Sequence, residues 1–488
     1  MKLSTTFQGI RERVAGDKRY LSAFTVMASV FSLAFFSWEQ RQVVLPLLVI
    51  ANIAVFFMTS LMARGHKEPL PLFEIGTVYC AVLTVYSLVP FLNYLLAGMS
   101  WTGLSDQRLL SYSASPEDVG NFAWKYVVYF LSFAAAYLCL RARAGSQKRV
   151  VVISDSPSLV VIALPLAVLI IYFYVLKTVW GVDANPSYSR IGDSLLNLKR
   201  LPLFVVQVSG HLRGILLLLK MALVFLLFEK WESKWWRSVL GLWLTAETIY
   251  TILNLGPRFE TALLLMSALL FYHRLVKPFR LSQAVIIGIL FVAGFQMLGI
   301  ARNYVLRNRT PVPQVTFQSL ASMTSEFQSM FATAYDLEQM KKTGRLGEIP
   351  TQLYISDFLM PVPQQLLPVR KIEPSEWYRE IKGIDDYMGF MFGVIAQSVI
   401  GFGLLELALR GAVVGAIFAF AGRWYTRHSS RFLHTLFYVW LCVWSYYTFR
   451  ASTFYLLSPI IYRVLPALAL IYFGERLRRL VYQNRPAI

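Results

Sequence analysis

The sequence repeatedly returns to apolar stretches of about twenty residues, the length that an α-helix needs to cross a bilayer. No water satisfies the backbone inside the hydrocarbon core, so such a stretch folds as a helix with internal hydrogen bonds. The stretches fill about twelve windows, at 20–37, 43–63, 71–97, 121–140, 158–178, 206–228, 236–254, 260–275, 282–301, 403–423, 432–450 and 454–474. With 56% hydrophobic residues overall, the chain is predicted to be an all-α polytopic membrane protein.

Basic residues are concentrated in alternate connections between these windows. They cluster in the N-terminal segment, in loops near positions 64, 141, 230, 274 and 423, and in the C-terminal tail. The intervening short loops hold little: Arg41, Arg108, Arg258 and Arg450. The positive-inside rule therefore predicts that both termini are cytoplasmic. Membrane sidedness accounts for the net charge of +20. Since no basic helix interleaved with aromatic residues lies outside the windows, no nucleic-acid partner is expected.

Three parts follow from this arrangement. Residues 1–301 hold transmembrane helices 1–9 and a smaller outer loop at 179–205, residues 302–388 form a large outer loop, and residues 389–488 hold a re-entrant segment, transmembrane helices 10–12 and a basic tail. Within the large loop, 316–340 has the apolar spacing of an amphipathic helix, and 349–371 is rich in prolines and suits a segment along the membrane surface. Gly393, Gly401 and Gly403 allow a broken helix on re-entry.

Several windows contain ionisable residues, which are costly in a membrane and therefore face a partner or a wet cavity. Lys220 and Glu247 lie at similar depth in neighbouring windows, which predicts an ion pair. Glu406 and Arg410 are four residues apart on one helix, which predicts a second ion pair. The sequence offers no evident partner by depth for Arg213 or for Arg463 in the last window.

Arginines accumulate at the outer ends of the windows. Arg258 follows the helix-breaking Gly-Pro of "NLGPRFET", and the sequence leaves its bridge to Glu260 open as an alternative to a guanidinium facing a cavity. The set comprises Arg213, Arg258, Arg302 and Arg450, joined by Arg307 and Arg309 in "ARNYVLRNRTP". Arginine binds phosphate in a bidentate manner, more strongly where water is partly excluded. We therefore expect these arginines to bind the pyrophosphate of a lipid carrier at the outer membrane surface.

The large loop supplies candidates for other roles. Glu326 falls close to the apolar stripe of the expected helix, which favours a raised pKa and a general base; a solvated glutamate is the alternative. Trp377 and Tyr378, near Asp385 and Asp386, resemble a sugar-contact surface or an interfacial aromatic belt. Lys341, Lys342 and Arg345 are interpreted as solvated surface. The outer segments hold no cluster of metal ligands, so neither a metal nor a cofactor is predicted.

Taken together, these segments resemble the Wzy-type oligosaccharide repeat-unit polymerases, which build O-antigens and exopolysaccharides. The resemblance rests mainly on 185–415: "NPSYSRIG" in the smaller outer loop, "GPRFETALLLMSALL", "ARNYV", "TSEF" at 324–327, the proline-rich segment and "MFGVIAQSVIGFGLLEL". The Arg-x10-Gly spacing of some members is absent, because Arg379 and Gly389 are one residue too close. Tyr188 and Tyr304, within the first and third of these segments, are expected to contact sugar together with Trp377 and Tyr378.

The resemblance implies a fold like the lipid-carrier-dependent membrane glycosyltransferases, in the inner membrane of a bacterium. It implies an inverting, metal-independent transfer at the periplasmic face, with an undecaprenyl-pyrophosphate-linked oligosaccharide as donor. A hydroxyl of a second lipid-linked unit attacks, and Glu326 or His211 accepts its proton. Besides the lipid bilayer and this substrate, a chain-length regulator and a flippase are the partners that the resemblance suggests.

Two alternatives remain open at this stage. An O-antigen ligase-like transferase also takes glycan from the lipid diphosphate, but it often uses a histidine in the large outer loop, and no histidine lies between 302 and 388. A lipid-linked oligosaccharide flippase or transporter predicts an internal repeat with interrupted helices at matching positions, and the sequence shows no such repeat.

Overall fold

The structure is a computed structural model, and it describes most of the chain in separate ranges. These are 18–63, 74–96, 98–99, 112, 115–141, 153, 155–182, 201–253, 258–279, a few positions between 283 and 294, 326–363, 366–368, 371–383 and 391–483. Within these ranges the regular structure is entirely helical, as the apolar windows predict.

The helices follow the windows closely in the first half of the chain. They are α1 Lys18–Ser32, α2 Trp38–Ala63, α3 Ile75–Leu96, α4 Pro116–Leu140, α5 Leu159–Trp180, α6 Leu203–Glu229, α7 Lys234–Leu253 and α8 Arg258–Phe271. The second half contains α9 Glu326–Lys342, α10 Thr351–Leu359, α11 Pro374–Lys382, α12 Gly393–Ile400, α13 Leu404–His428, α14 Phe432–Trp444, α15 Tyr447–Arg450 and α16 Leu465–Gln483.

Seven helices in the described ranges are long and apolar enough to cross a membrane, so the chain is a polytopic membrane protein. They are Trp38–Leu61, Ile75–Leu96, Pro116–Leu140, Leu159–Trp180, Val208–Glu229, Leu404–His428 and Leu457–Val481. Each coincides with a predicted window. Of the other windows, 20–37 contains a shorter apolar helix, Thr25–Phe35, and 282–301 lies largely outside the described residues. The count of twelve stays a prediction.

Small residues let the central helices approach one another closely. A Cβ atom on Gly411 or Gly415 of α13 would lie 2.5 Å from the carbonyl oxygen of Tyr129 or Phe133 of α4. A Cβ atom on Gly120 of α4 would lie 2.4 Å from the carbonyl oxygen of Gln42 in α2. Because apolar burial drives association only weakly within lipid, such close backbone packing is a main source of affinity between membrane helices.

The described part of the predicted large outer loop, from Glu326 onward, packs onto the membrane helices. Its helix α9 begins at Glu326, inside the predicted 316–340 helix, and packs against α12. All eight residues of α12 are buried. Gly393 and Gly403, with φ of 71° and 64°, adopt left-handed backbone conformations on either side of it. These glycines thus bound a short buried helix, and its re-entry into the membrane stays a prediction.

Two predicted windows near the C-terminus are interrupted. In the 432–450 window α14 ends at Trp444, and α15 starts again at Tyr447 after a turn. In the last window the helix passes through a π-helical turn, Ile460–Val464, before α16. Hydropathy alone does not locate either interruption, because all of these residues remain apolar enough to continue a span.

Candidate functional site

Both ion pairs predicted within the membrane windows are confirmed. The Nζ atom of Lys220 lies 2.5 Å from Glu247, and Nε of Arg410 lies 2.7 Å from Glu406. Arg410 also pairs with Asp357 of α10 and donates to Thr453 at 2.8 Å. The Arg410 cluster therefore joins the outer loop to α13. The sequence predicted only the Glu406–Arg410 pair within one helix and not this connection.

Arg213 forms an ion pair with Glu260, so the premise that it is unpaired was wrong. The side chains are on α6 and α8, and Glu260 thus has a partner other than Arg258. Arg258 is the first residue of α8; its side chain is outside the described part. We call this end of the bundle the outer end, and the end where Glu74 meets Arg141 the inner end.

His211, two residues before Arg213 on α6, contacts the last membrane helix. Its ring stacks on Tyr462 with centroids 5.1 Å apart, and its Nδ1 is buried with no hydrogen-bond partner in the described structure. The Tyr462 hydroxyl donates to the carbonyl oxygen of Pro361 at 2.8 Å. Arg463, the next residue, lies against Gly214. The outer end of α6, the π-helical turn and the proline-rich loop segment therefore meet at one place.

Arg450 belongs to the same end of the bundle. Its guanidinium lies 5.8 Å and 5.5 Å from the ring centroids of Tyr446 and Tyr447, and its Nε is 2.8 Å from the Met391 sulfur. Tyr455 is close enough to both Arg450 and Arg463 for its hydroxyl to interact electrostatically with them. Three arginines from two parts of the chain, Arg213, Arg450 and Arg463, are thus gathered at the outer end.

Glu373 is a carboxylate that the sequence interpretation missed. Its charge also interacts electrostatically with Tyr455. Although the side chain is exposed, surrounding protein atoms disfavour its ionised form and raise the pKa of its carboxyl; Glu376 adds to this, whereas Arg379 and Lys371 oppose it. A carboxyl that is crowded yet open to solvent can accept a proton from a ligand. The surrounding sequence, "VRKIEPSEW", has no helical or strand periodicity, so nothing in it distinguishes Glu373 from an ordinary solvated glutamate.

Trp377 and Tyr378 are both buried, at 5% and 0% relative exposure. The Tyr378 hydroxyl donates to Asp336 at 2.6 Å, and Asp336 also accepts from Tyr112 at 2.5 Å and Lys382 at 3.1 Å. In this structure the two aromatic residues therefore form part of the core of the outer loop. Their contact with sugar stays a prediction.

The remaining candidate residues are not fully described. Arg302, Arg307, Arg309, Tyr188 and Tyr304 lie outside the described residues. Glu326 is the first residue of α9, and its side chain is likewise outside the described part, so its predicted role as a base stays a prediction.

Comparisons with known proteins give no relative for this chain. No family model matches it, and neither the curated proteins nor the solved structures contain a significant match. Any functional conclusion therefore depends on the residues themselves.

Proposed function

We propose that the protein is a polymerase that joins undecaprenyl-pyrophosphate-linked oligosaccharide units into a surface polysaccharide at the periplasmic face of a bacterial inner membrane. The observation that carries this proposal is the convergence of cationic side chains at the outer end. Arg463 lies against Gly214, the residue that follows Arg213, and the charges of Arg450 and Arg463 both act on Tyr455. Such a layer suits an anionic head group whose hydrocarbon tail lies in the membrane.

Contacts between distant segments agree with the grouping of loops into two sides that this proposal requires. Four contacts join segments predicted to be cytoplasmic: Glu74–Arg141, Ser156–Glu229, Ser158–Glu475 and Asp155–Phe432. Four further contacts join segments predicted to be outside: Arg213–Glu260, Lys125–Glu338, Lys342–Asp118 and Tyr462–Pro361. Each of these contacts joins segments that the basic-loop pattern assigns to one side.

In the proposed reaction a hydroxyl oxygen of the acceptor unit forms a bond to the anomeric carbon of the donor. The bond from that carbon to the pyrophosphate oxygen breaks, and undecaprenyl pyrophosphate leaves with the electron pair. Arginines stabilise the charge that develops on the leaving group, the usual role of preorganised cations in such a transfer. Glu326, His211 and Glu373 are the candidates to accept the hydroxyl proton, and a Glu326→Gln variant with unaltered turnover would remove Glu326 from the mechanism.

Surface glycan from a deletion strain tests the proposal directly. Gel analysis should show a product with a single repeat unit, and complementation should restore long chains. Surface that lacks glycan while long chains remain on the carrier would indicate a ligase instead. Accumulation of carrier-linked units at the cytoplasmic face would indicate a flippase.

Variants of the arginines predicted at the outer end, made in the same strain, test whether these residues bind the pyrophosphate. Arg258→Ala and Arg302→Ala should abolish long chains while the protein remains in the membrane. Arg476→Ala is the matched control, because Arg476 is exposed near the inner end of α16. Chains of normal length from both outer-end variants would show that these arginines do not bind the pyrophosphate.

A further inference from the structure

Helix α10, within the predicted outer loop, exposes its apolar face and buries its polar one. Phe358 is 60% exposed, and the exposed side chains of Tyr354 and Ile355 share its face, since they lie three and four residues before it. Asp357 is only 2% exposed, and Ser356 is buried as well. An amphipathic helix on a water-facing surface has the opposite arrangement, with its polar residues outward. The exposed face of α10 is therefore suited to an apolar environment.

Asp357 sets the depth of α10 against a helix that is long and apolar enough to cross a membrane. Its carboxylate accepts from Nε2 of Gln397 at 2.8 Å and forms an ion pair with Arg410 of α13. Arg410 lies six residues inside the span Leu404–His428, which corresponds to about 9 Å along the helix axis. Helix α10 therefore lies beside the outer turns of α13 rather than above them.

The turn that follows α10 needs no water to satisfy its backbone. The carbonyl oxygens of Met360 and Val362 accept from Nζ of Lys371, and that of Pro361 accepts from the Tyr462 hydroxyl at 2.8 Å. The N–H groups of Met360 and Val362 donate to carbonyl oxygens of α10, and proline has no N–H. Because unpaired backbone groups are too costly in hydrocarbon, only a turn that is paired within the protein in this way can lie at membrane depth.

The exposed face of α10 continues onto the outer end of α13. The ring of Tyr354 lies 6.4 Å from that of Phe402, centroid to centroid. Phe402 and, within α13, Leu405 and Leu409 are exposed apolar residues. Since α13 has the length and composition of a membrane-spanning helix, its exposed apolar side chains face lipid. The acyl chains that cover this part of α13 therefore reach α10 as well.

We propose that α10 inserts into the hydrocarbon of the leaflet at the outer end, where acyl chains cover Tyr354, Ile355 and Phe358. The sequence predicts a segment along the membrane surface, whereas this inference places α10 below that surface. The predicted loop 302–388 is then held in the bilayer at a point within its own length. The partner is the lipid itself, so the inference does not depend on the proposed function.

Spin-label accessibility in the full chain, reconstituted in phosphatidylcholine bilayers, tests the proposal. The label is attached to Phe358→Cys or Ile355→Cys in a chain with Cys139→Ala, because the other two native cysteines are buried. Oxygen concentrates in hydrocarbon, whereas the polar complex nickel–EDDA stays in water. The ratio of oxygen to nickel collision rates should exceed that at Glu348→Cys, an exposed position of the same loop, at least about tenfold, because polar solutes partition poorly into hydrocarbon.

Three outcomes are distinguishable. A high ratio at the α10 positions supports insertion. A ratio at Phe358→Cys equal to that at Glu348→Cys would mean that α10 faces water and would overturn the inference. Low collision rates with both reagents would mean that protein, either a partner or a second copy, covers the face, and would overturn it as well. If Phe358→Cys does not fold, Ile355→Cys gives the same test from the same face.

A second experiment tests the paired turn. Lys371→Met removes the donor to the carbonyl oxygens of Met360 and Val362, which then require water. We expect α10 to move toward water, so the nickel collision rate at Phe358→Cys should rise at least about fivefold, the shift expected from one unpaired buried acceptor. Arg345→Met removes the same charge from an exposed position of the same loop and should leave the rate unchanged. Equal rates in the two methionine variants would contradict insertion of the turn.

Discussion

The two ends of the helix bundle treat charge differently. At the inner end, Glu74 pairs with Arg141 at 2.6 Å and accepts from Tyr137, and Glu475 pairs with Arg478 at 2.7 Å. The outer end also contains ion pairs, those of Arg213, Lys125 and Lys342, but Arg463 and Glu373 there form no ion pair with any described residue. Charges that satisfy one another stabilise a fold, whereas charges left without partners are available to a ligand. We therefore expect substitutions of the paired residues to affect mainly stability, and Arg463 and Glu373 to be available to a ligand.

The largest effect on stability is expected at the inner end. Glu74→Gln leaves the guanidinium of Arg141, only 12% exposed, without its counter-ion. We expect a loss of about 3 kcal/mol in the free energy of unfolding, the lower end of the range for breaking a buried pair. The thermal midpoint of the purified protein measures it, with Glu232→Gln, an exposed residue between α6 and α7, as control. A midpoint equal to that of the control would remove the distinction between the two ends.

A smaller loss is expected in the outer loop, at the Asp336 cluster. Asp336→Asn replaces an oxygen that accepts from buried donors with an amide group that cannot, and it removes the charge opposite Lys382. We expect the free energy of unfolding to fall by about 2 kcal/mol and the loop to be cleaved faster by proteases. Glycan length per folded molecule should change little. Glu348→Gln, exposed in the same loop, is the control. Loss of long chains at normal protein level would instead make this cluster part of the site.

Lys341 should give a still smaller effect. Lys341 is exposed, as the sequence suggested, and its Nζ in addition donates to the carbonyl oxygen of Val399 at 2.7 Å, near the end of α12. Lys341→Met should therefore cost about 1 kcal/mol, the net value of one hydrogen bond, and Arg345→Met should cost less. Equal thermal midpoints for the two variants would mean that the hydrogen bond to Val399 does not stabilise the fold.

The smallest effect, opposite in sign, is expected at Glu373. Its folded-state pKa is raised, so its contribution to stability is fully present below the unfolded pKa of about 4.3 and is lost as pH rises through the folded pKa. Glu373→Gln should accordingly raise the thermal midpoint slightly at neutral pH and leave it unchanged at pH about 4. A lower midpoint at neutral pH would mean that attraction to Lys371 and Arg379 outweighs the crowding.

Features that depend on local spacing were predictable from the sequence. Apolar runs located the seven apolar helices, and i,i+4 spacing located the Glu406–Arg410 pair. Depth along neighbouring helices also located Lys220–Glu247. These predictions succeeded because helix geometry converts sequence separation into position on a face or along an axis.

Features that depend on lateral packing were not predictable. Arg213, 47 residues away, is a partner of Glu260 because the orientation of α8 against α6 brings the two side chains together. Asp357 and Arg410 are 53 residues apart on segments whose contact no periodicity reveals. The environment of Glu373 likewise arises from chain segments that pack together only in the folded protein.

The length of α12 has a consequence for how the chain is assembled in a cell. Its eight residues extend about 12 Å, well under half of a hydrocarbon core of about 30 Å, so the translocation machinery cannot release it sideways as an independent segment. We therefore expect this segment to dock only once the helices that pack against it, α9 and α13 among them, are in place. Substitutions in it should therefore yield fully inserted but incompletely assembled chains, the kind of product that membrane proteases remove.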